Sequence, residues 1–332
     1  MYRCLHSGVS AYPEYPPKLA DVSFPRIPVG SADELEKALK EQVTAAASDG
    51  KAALALSGGI DSAILAKFMP KGSVAYTFRC VVPGKQVVDE SIRASKYAEE
   101  CGLKHEITDI TFDEALSVCD TLMKHKGAPI HSIEAQIYLA SLRAKKDGFK
   151  RFIFGETADA VYGGLDGLLG EDRTTGEFIE RFSFVAPYKV MYDPAPDYSP
   201  FYDIEKDGHI DAHDFINKYF FRESLGSYLN ACETAGIEFI APYSRTKMSV
   251  PIDYEKIRSG NSKYFVREVF SKLYPGWETP KKTPMPRPVS EWLGSWSGPV
   301  RSEFIPHCTD GMTGDMKWMV FILERFLNLM EK

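Results

Sequence analysis

Residues 57–62 read Ser-Gly-Gly-Ile-Asp-Ser and separate two apolar runs, 52–56 and 63–66. Adjacent Gly58 and Gly59 remove Cβ atoms where an anion must approach the backbone. A helix starting near Asp61 offers unpaired N–H groups and the positive end of its dipole to the same anion. Ser57 and Ser62 add hydroxyl donors. Asp61 repels phosphate, so it belongs in such a loop only with a cation between them. Magnesium commonly binds one or two carboxylates together with substrate phosphates. The stretch is not the G-x-x-x-x-G-K-[ST] phosphate loop, because that lysine is absent. The competing reading is a glycine turn feeding an N-capped helix, with no ligand at all.

A second acid-bearing turn, Gly155-Glu156-Thr157-Ala158-Asp159, follows the apolar stretch 152–154. If both turns close parallel strands, they converge, because ligands of such sheets sit at the carboxyl ends of the strands. The elements that must position them can be read from periodicity. Residue types at 31–34 suggest a capping box, and Leu35, Leu39 and Val43 then recur at helical spacing. Residues 52–56 suit a buried parallel strand, with helix from 61 to 69. Further strands are expected at 73–78, 104–108 and 151–154. Helices are expected at 88–101, 112–125 and 133–146, the first ended by Gly102. Strands alternating with helices of this length predict an α/β fold with a doubly wound parallel sheet.

From 165 to 210 the pattern breaks into Gly, Pro and Asp, and part of this stretch is expected as a flap over the site. Helical signals return at 215–235, 262–273 and 316–330. The domain reading is an N-terminal extension, 1–30, and one domain, 31–332. The latter comprises an α/β nucleotide-binding core, 31–164, and a mostly helical substrate-site portion, 165–332.

The bulk numbers are compatible with this. The 332 residues are 44% hydrophobic and 26% charged, ordinary for a globular chain with a sizeable core. A net charge of −6 gives no overall basic field for nucleic acid. The six cysteines are scattered without a C-x-x-C pair, which argues against a zinc ribbon or redox dithiol and for buried thiols in a reducing, cytoplasmic setting. No apolar run reaches the ~20 residues that span a bilayer, and residues 1–17 lack the apolar core of a signal peptide.

SGGIDS resembles the S-G-G-x-D-S loop of the N-type ATP pyrophosphatases, or PP-loop enzymes. Asparagine synthetase, β-lactam synthetase, GMP synthetase and NAD synthetase belong to that group. Other stretches narrow the likeness to the synthetase domain of asparagine and β-lactam synthetases. FGETADAVYGG at 154–164 is similar to its G-E-G-x-D-E-hydrophobic-aromatic-G-G stretch. Residues 77–107 resemble its strand, acidic pair, helix and Gly-x-x-H-x-E run. GIEFIAPYSR at 236–245 resembles G-x-E-x-R-x-P-F, SKYFVREVF at 262–270 the K-x-x-L-R-E helix, and PKKTPM at 280–285 the R-x-K-x-x-F loop. The matches are collinear over roughly 33–295.

The resemblance implies an AMP-forming amide ligase. A carboxylate attacks the α-phosphorus of ATP, pyrophosphate leaves, and an amine or ammonia then attacks the acyl-adenylate. It places Ser57, Gly58, Gly59 and Ser62 on pyrophosphate, with Asp61 and Asp159 on Mg2+. The adenine is expected along Leu56, the strand end Phe78–Cys80 (Phe78 and Cys80), and Gly155. Glu156 matches the base that deprotonates the amine, since an ammonium ion is no nucleophile. Lys263 and Lys282 match lysines on phosphate, Lys282 with a catalytic role, and Lys281 is the other reading of that loop's register.

Departures from the family pattern bear on the substrates. Tyr2 stands where glutamine-hydrolysing members carry cysteine, and thirty residues precede the first helix, so no glutaminase is expected here. Nitrogen is then expected as ammonia or an amine, from solution or from a separate glutaminase. Ala160 replaces the second acid of the Asp-Glu pair, and Phe239 replaces an arginine, which puts aspartate in doubt as the acyl substrate. A small-molecule or peptide carboxylate is expected instead. His131, Glu134 and Gln136 shape either a different carboxylate pocket or only core and caps. Two further readings use the same loop: a sugar or nucleobase amidotransferase or thiolation enzyme, and a glutaminase-dependent synthetase subunit. A non-enzymatic nucleotide-binding subunit has no need of Asp61, Glu156, Asp159 and Lys282 together.

Overall fold

The computed structural model describes residues 12–281 and 285–331. Lys282 and Tyr2 lie outside the described residues. In chain order the elements that matter are β1 (Ile27–Val29), α1 (Ala32–Ala47), β2 (Ala52–Ala55), α2 (Ile60–Phe68), β3 (Val74–Cys80), α3 (Ser91–Cys101) and β4 (Lys104–Ile110). They continue with α4 (Phe112–Lys126), α5 (Ser132–Lys146), β5 (Arg151–Ile153), α6 (Ala158–Val161), α7 (Phe221–Ala235), β6 (Glu238–Ile240), β7 (Thr246–Met248), α8 (Tyr264–Leu273) and α9 (Gly314–Met330).

The main sheet has five parallel strands in the order β4-β3-β2-β5-β6. Strand β2 is central and fully buried, which is why Ala52–Ala55 is small and apolar without alternation. Its side chains still alternate between two cores. Ala52, Leu54 and Leu56 face one layer with residues of α1, α2, α3 and α8, whereas Ala53 and Ala55 face another with α4, α5, α7 and α9. The fold is therefore α/β and doubly wound, as expected. The order reverses at β2, since β3 follows on one side and β5 joins from the other. This opens the crevice in which such sheets bind ligands.

Capping explains several boundaries. Ser31 accepts from the Glu34 N–H to start α1, and Thr111 and Glu114 form a reciprocal box at α4. Gly102, Gly127 and Gly236 close α3, α4 and α7 in the left-handed conformation. His131 caps α5, and Glu134 completes that box.

Two segments differ from the sequence reading. The fifth strand, β6, comes from the second half of the chain, so the sheet is not confined to 31–164. A three-residue strand is too short to show a period. Residues 165–210 are not a flap over the site. They fold against α7's N-terminal extension around Phe178, Phe182, Phe201 and Phe215, whose rings pack 4.7 to 6.3 Å apart. The aromatic anchors are spaced irregularly, so no helical or strand period exposes them. Among the described residues no helix is long and apolar enough to cross a membrane.

Candidate active site

The loop after β2 is held by its own hydroxyls. The Ser57 N–H donates to Ser62 Oγ at 3.0 Å, and the Gly59 N–H donates to Ser57 Oγ at 3.1 Å. Gly59 is the N-cap of α2 and has no side chain to occupy the helix end. The Tyr243 hydroxyl donates to the Asp61 carbonyl at 3.1 Å and fixes the first turn from behind.

The loop after β5 lies beside it because β5 pairs directly with β2. A Cβ on Gly155 would lie 2.9 Å from the Ser62 nitrogen, so only glycine lets the two loops approach this closely. The next turn carries Thr157 at φ 69, buried and left-handed. For a β-branched residue this costs on the order of 1–3 kcal/mol and marks a constrained position. It aims Glu156 and Asp159 into one cavity, which Ser57, Gly58, Gly59, Asp61, Ser62, Leu56, Phe78, Gly155 and Lys263 also line.

The centre of that cavity is ionic. Lys263 Nζ lies 2.9 and 2.8 Å from the two Asp61 carboxylate oxygens and 3.0 Å from Asp159 Oδ1. Burial alone would lower the lysine's pKa, but the two carboxylates outweigh it and hold it above its ordinary range. Lys263 itself has φ 54 and begins α8. A Cβ on Gly164 would fall 2.1 Å from Asp159 Oδ1 and 2.7 Å from Lys263 Cδ, so glycine makes room for the cluster.

Glu156 receives hydrogen bonds from Ser224 and Tyr228 of α7. Burial raises its pKa, these donors pull it back in part, and the Asp159 charge raises it further. A carboxylate in this condition is a better base than one in water. Around the cavity the described residues place five basic side chains, Arg79, Arg93, Lys263, Arg267 and Lys281, against five acidic ones, Asp61, Asp89, Glu90, Glu156 and Asp159. The described residues thus offer no net charge to a nucleoside triphosphate. Two carboxylates from neighbouring loops that both contact one ammonium converge on a single cation position, which suits a divalent ion with oxygen ligands.

One expected residue lies elsewhere. Cys80 does not line the cavity; it sits two residues beyond Phe78, where its Sγ approaches Gln136 Oε1 at 3.3 Å and Trp292 covers the chain at Val81. Burial pushes its thiol up to about 12. His131, Glu134 and Gln136 are also outside. His131 caps α5, and Glu134 is fully buried with Lys126 at 2.8 Å and Asn230 at 2.7 Å. Sequence reasoning missed Tyr228 and Ser224. They share a helix face by their four-residue spacing, but nothing local distinguishes that face from core. Arg267 also lines the cavity and donates to the Ser262 carbonyl at 2.7 Å.

The asparagine synthase family matches residues 32–240, well over half of the chain. No curated protein matches it. Among solved structures it is similar to an NH3-dependent NAD synthetase from Campylobacter jejuni subsp. jejuni at 15% identity and TM-score 0.28, over 41% of this chain and 61% of that one. It thus spans less than two thirds of that protein. It is similar to an NMN synthetase from Francisella tularensis at 14% identity and TM-score 0.30, over 77% and 99% of the two chains. A predicted subunit of a tRNA methyltransferase from Methanocaldococcus jannaschii gives 15% and 0.26, over 69% and 93%. The chain belongs to the asparagine synthase family, in line with the resemblance carried by its 57–62 loop and 154–164 stretch.

Proposed function

We propose that the chain is an AMP-forming amide ligase that adenylates a small-molecule or peptide carboxylate and passes the acyl group to an amine or ammonia. The observation that carries this reading is the convergence of Asp61 and Asp159 on one cationic point beside the 57–62 loop, with Glu156 on the same cavity.

In this reading the backbone of Gly58 and Gly59 and the hydroxyls of Ser57 and Ser62 bind the pyrophosphate that leaves. Leu56, Phe78 and Gly155 flank the adenine. The Leu56 N–H is already bonded to the Tyr76 carbonyl at 2.9 Å, and its own carbonyl accepts from Thr77 Oγ1 at 2.6 Å. Adenine recognition therefore rests on packing against Leu56 and Phe78 more than on the Leu56 amide. Asp61 and Asp159 would hold Mg2+, which neutralises charge gathering on the leaving group. Lys263, with Lys281 or Lys282, supplies cations to the phosphates.

Glu156 takes the proton from the attacking amine. Its carboxylate is oriented by Ser224 and Tyr228, and the raised pKa makes it a stronger proton acceptor than a carboxylate in water. Five described cysteines are free thiols and four of them are buried, which supports a cytoplasmic setting. The nitrogen source is ammonia or an amine, free or delivered by a separate glutaminase.

The test is pyrophosphate release from ATP and Mg2+ across a panel of carboxylates, with amide formation followed in parallel. Glu156→Gln is expected to form adenylate and stall before the amide. Pyrophosphate release with no carboxylate of a broad panel, or a normal amide rate in Glu156→Gln, overturns the assignment.

A further inference from the structure

The polar groups that would receive a metal–nucleotide complex already have partners within the protein. Asp61 and Asp159 share the Lys263 ammonium at 2.8 to 3.0 Å. In the loop, the Ser57 and Gly59 amides are bonded to the Ser62 and Ser57 hydroxyls. The remaining amide of the glycine pair, that of Gly58, donates to the Glu90 carboxylate. Glu90 packs so closely there that a Cβ on Gly58 would lie 3.1 Å from Glu90 Cβ and 3.5 Å from its Cδ. Glu90 is part of the same cavity wall.

Resting on the function proposed above, we infer that the protein ligands its own site: Lys263 occupies the cation seat between Asp61 and Asp159, and Glu90 occupies the anion seat at the Gly58 amide. Neither seat admits its ligand until the internal group leaves. A divalent ion cannot share two carboxylates with an ammonium already within 3.0 Å of both, because like charges at that separation repel strongly. A phosphate oxygen cannot take the Gly58 amide while a carboxylate holds it, for the same reason.

Departure of each group assists the other ligand. Released by the metal, the Lys263 ammonium is free to turn toward phosphate, on a backbone already held at φ 54. Released by phosphate, Glu90 has a cation nearby in Arg93, which also donates to the Gly58 carbonyl at 3.3 Å. Burial favours the protonated form of Glu90, which is a weaker acceptor for the Gly58 amide than the carboxylate. Metal and nucleotide therefore bind with positive coupling, each weakly alone.

Binding of Mn2+, read by its electron paramagnetic resonance signal, tests the cation seat without turnover. The intact chain is expected to bind Mn2+ at least tenfold more tightly with α,β-methylene ATP present than without it. Lys263→Met should bind Mn2+ about tenfold more tightly than the wild type in the absence of nucleotide, and lose most of the coupling. Lys263→Arg, which keeps a cation and the fold, should stay as weak as the wild type. For the anion seat the probe is inorganic pyrophosphate without metal. Glu90→Gln should tighten its binding several-fold more than Asp89→Asn, which removes the same charge from a carboxylate paired with Arg79 at 3.0 Å. Equal effects at the two positions, or Mn2+ affinity unchanged in Lys263→Met, overturn the inference and leave the ligase reading standing. Failure of the wild type to bind Mn2+ and nucleotide together overturns both.

Discussion

Replacing Tyr228 by phenylalanine isolates one hydrogen bond at the proposed base. The Tyr228 ring packs between Phe154 and Phe239 at 5.2 and 5.7 Å, and phenylalanine preserves those contacts. Only the hydroxyl that donates to Glu156 is lost, while Ser224 remains. A hydrogen bond to a charged acceptor contributes roughly 1.5–3 kcal/mol and one to a neutral acceptor roughly 0.5–1.5 kcal/mol. The ionised form of Glu156 therefore loses about 1 to 1.5 kcal/mol more than the protonated form. At about 1.4 kcal/mol per unit, its pKa should rise by about one unit above its already raised value.

The sign follows for stability as well. The folded pKa of Glu156 lies above its unfolded value, so its stabilising contribution is full below the unfolded pKa and is lost as pH rises through the folded one. Tyr228→Phe should push the end of that loss to higher pH. The assay is an infrared titration of the protonated carboxyl band, with Glu156→Gln as the blank for every other carboxyl group. In the ligase reaction, the acid limb of amide formation should move the same way. A midpoint that stays in place, or moves toward acid, refutes the claim that Tyr228 stabilises the ionised base.

Gly164→Ala should abolish joint metal and nucleotide binding by displacing Asp159 and Lys263, and should lower thermal stability as well, because it breaks a buried ion-pair cluster; calorimetry and a melting curve check the two halves. Lys126→Met should destabilise the fold by about 3–5 kcal/mol in chemical denaturation, since it strands Glu134 and Glu223 without their shared cation. Adding Glu134→Gln to it should recover part of that loss. Cys80→Ala should leave nucleotide affinity unchanged, because Cys80 faces Gln136 rather than the cavity; a weakened affinity would return it to the site.

Much of the fold was legible because its elements carry strong local signals. The strand at 52–55, the capped helix at 32–47, the helix at 112–126 and the glycine stop after α3 each follow from residue types within a few positions. The two acid-bearing turns were legible for the same reason: glycines, hydroxyls and carboxylates crowd into them out of register with any core. Strand β6 was not, since three residues fit either period, and its place at the sheet edge depends on pairing with β5. The packing of 165–210 was not, since its phenylalanines find one another across loops rather than along a helix.

What the sequence determined by itself is the identity of the reactive groups and the loops that bear them. Asp61, Glu156, Asp159 and Lys263 stand out from local chemistry and family resemblance alone. The tertiary structure decided their partners. Pairing of β2 with β5 brings Asp61 and Asp159 together, α8 delivers Lys263 between them, and α7 brings Ser224 and Tyr228 to Glu156. A charge 202 positions away in the chain leaves no periodic trace near Asp61. Its energy comes from burial and proximity, which exist only once the strands and helices have packed.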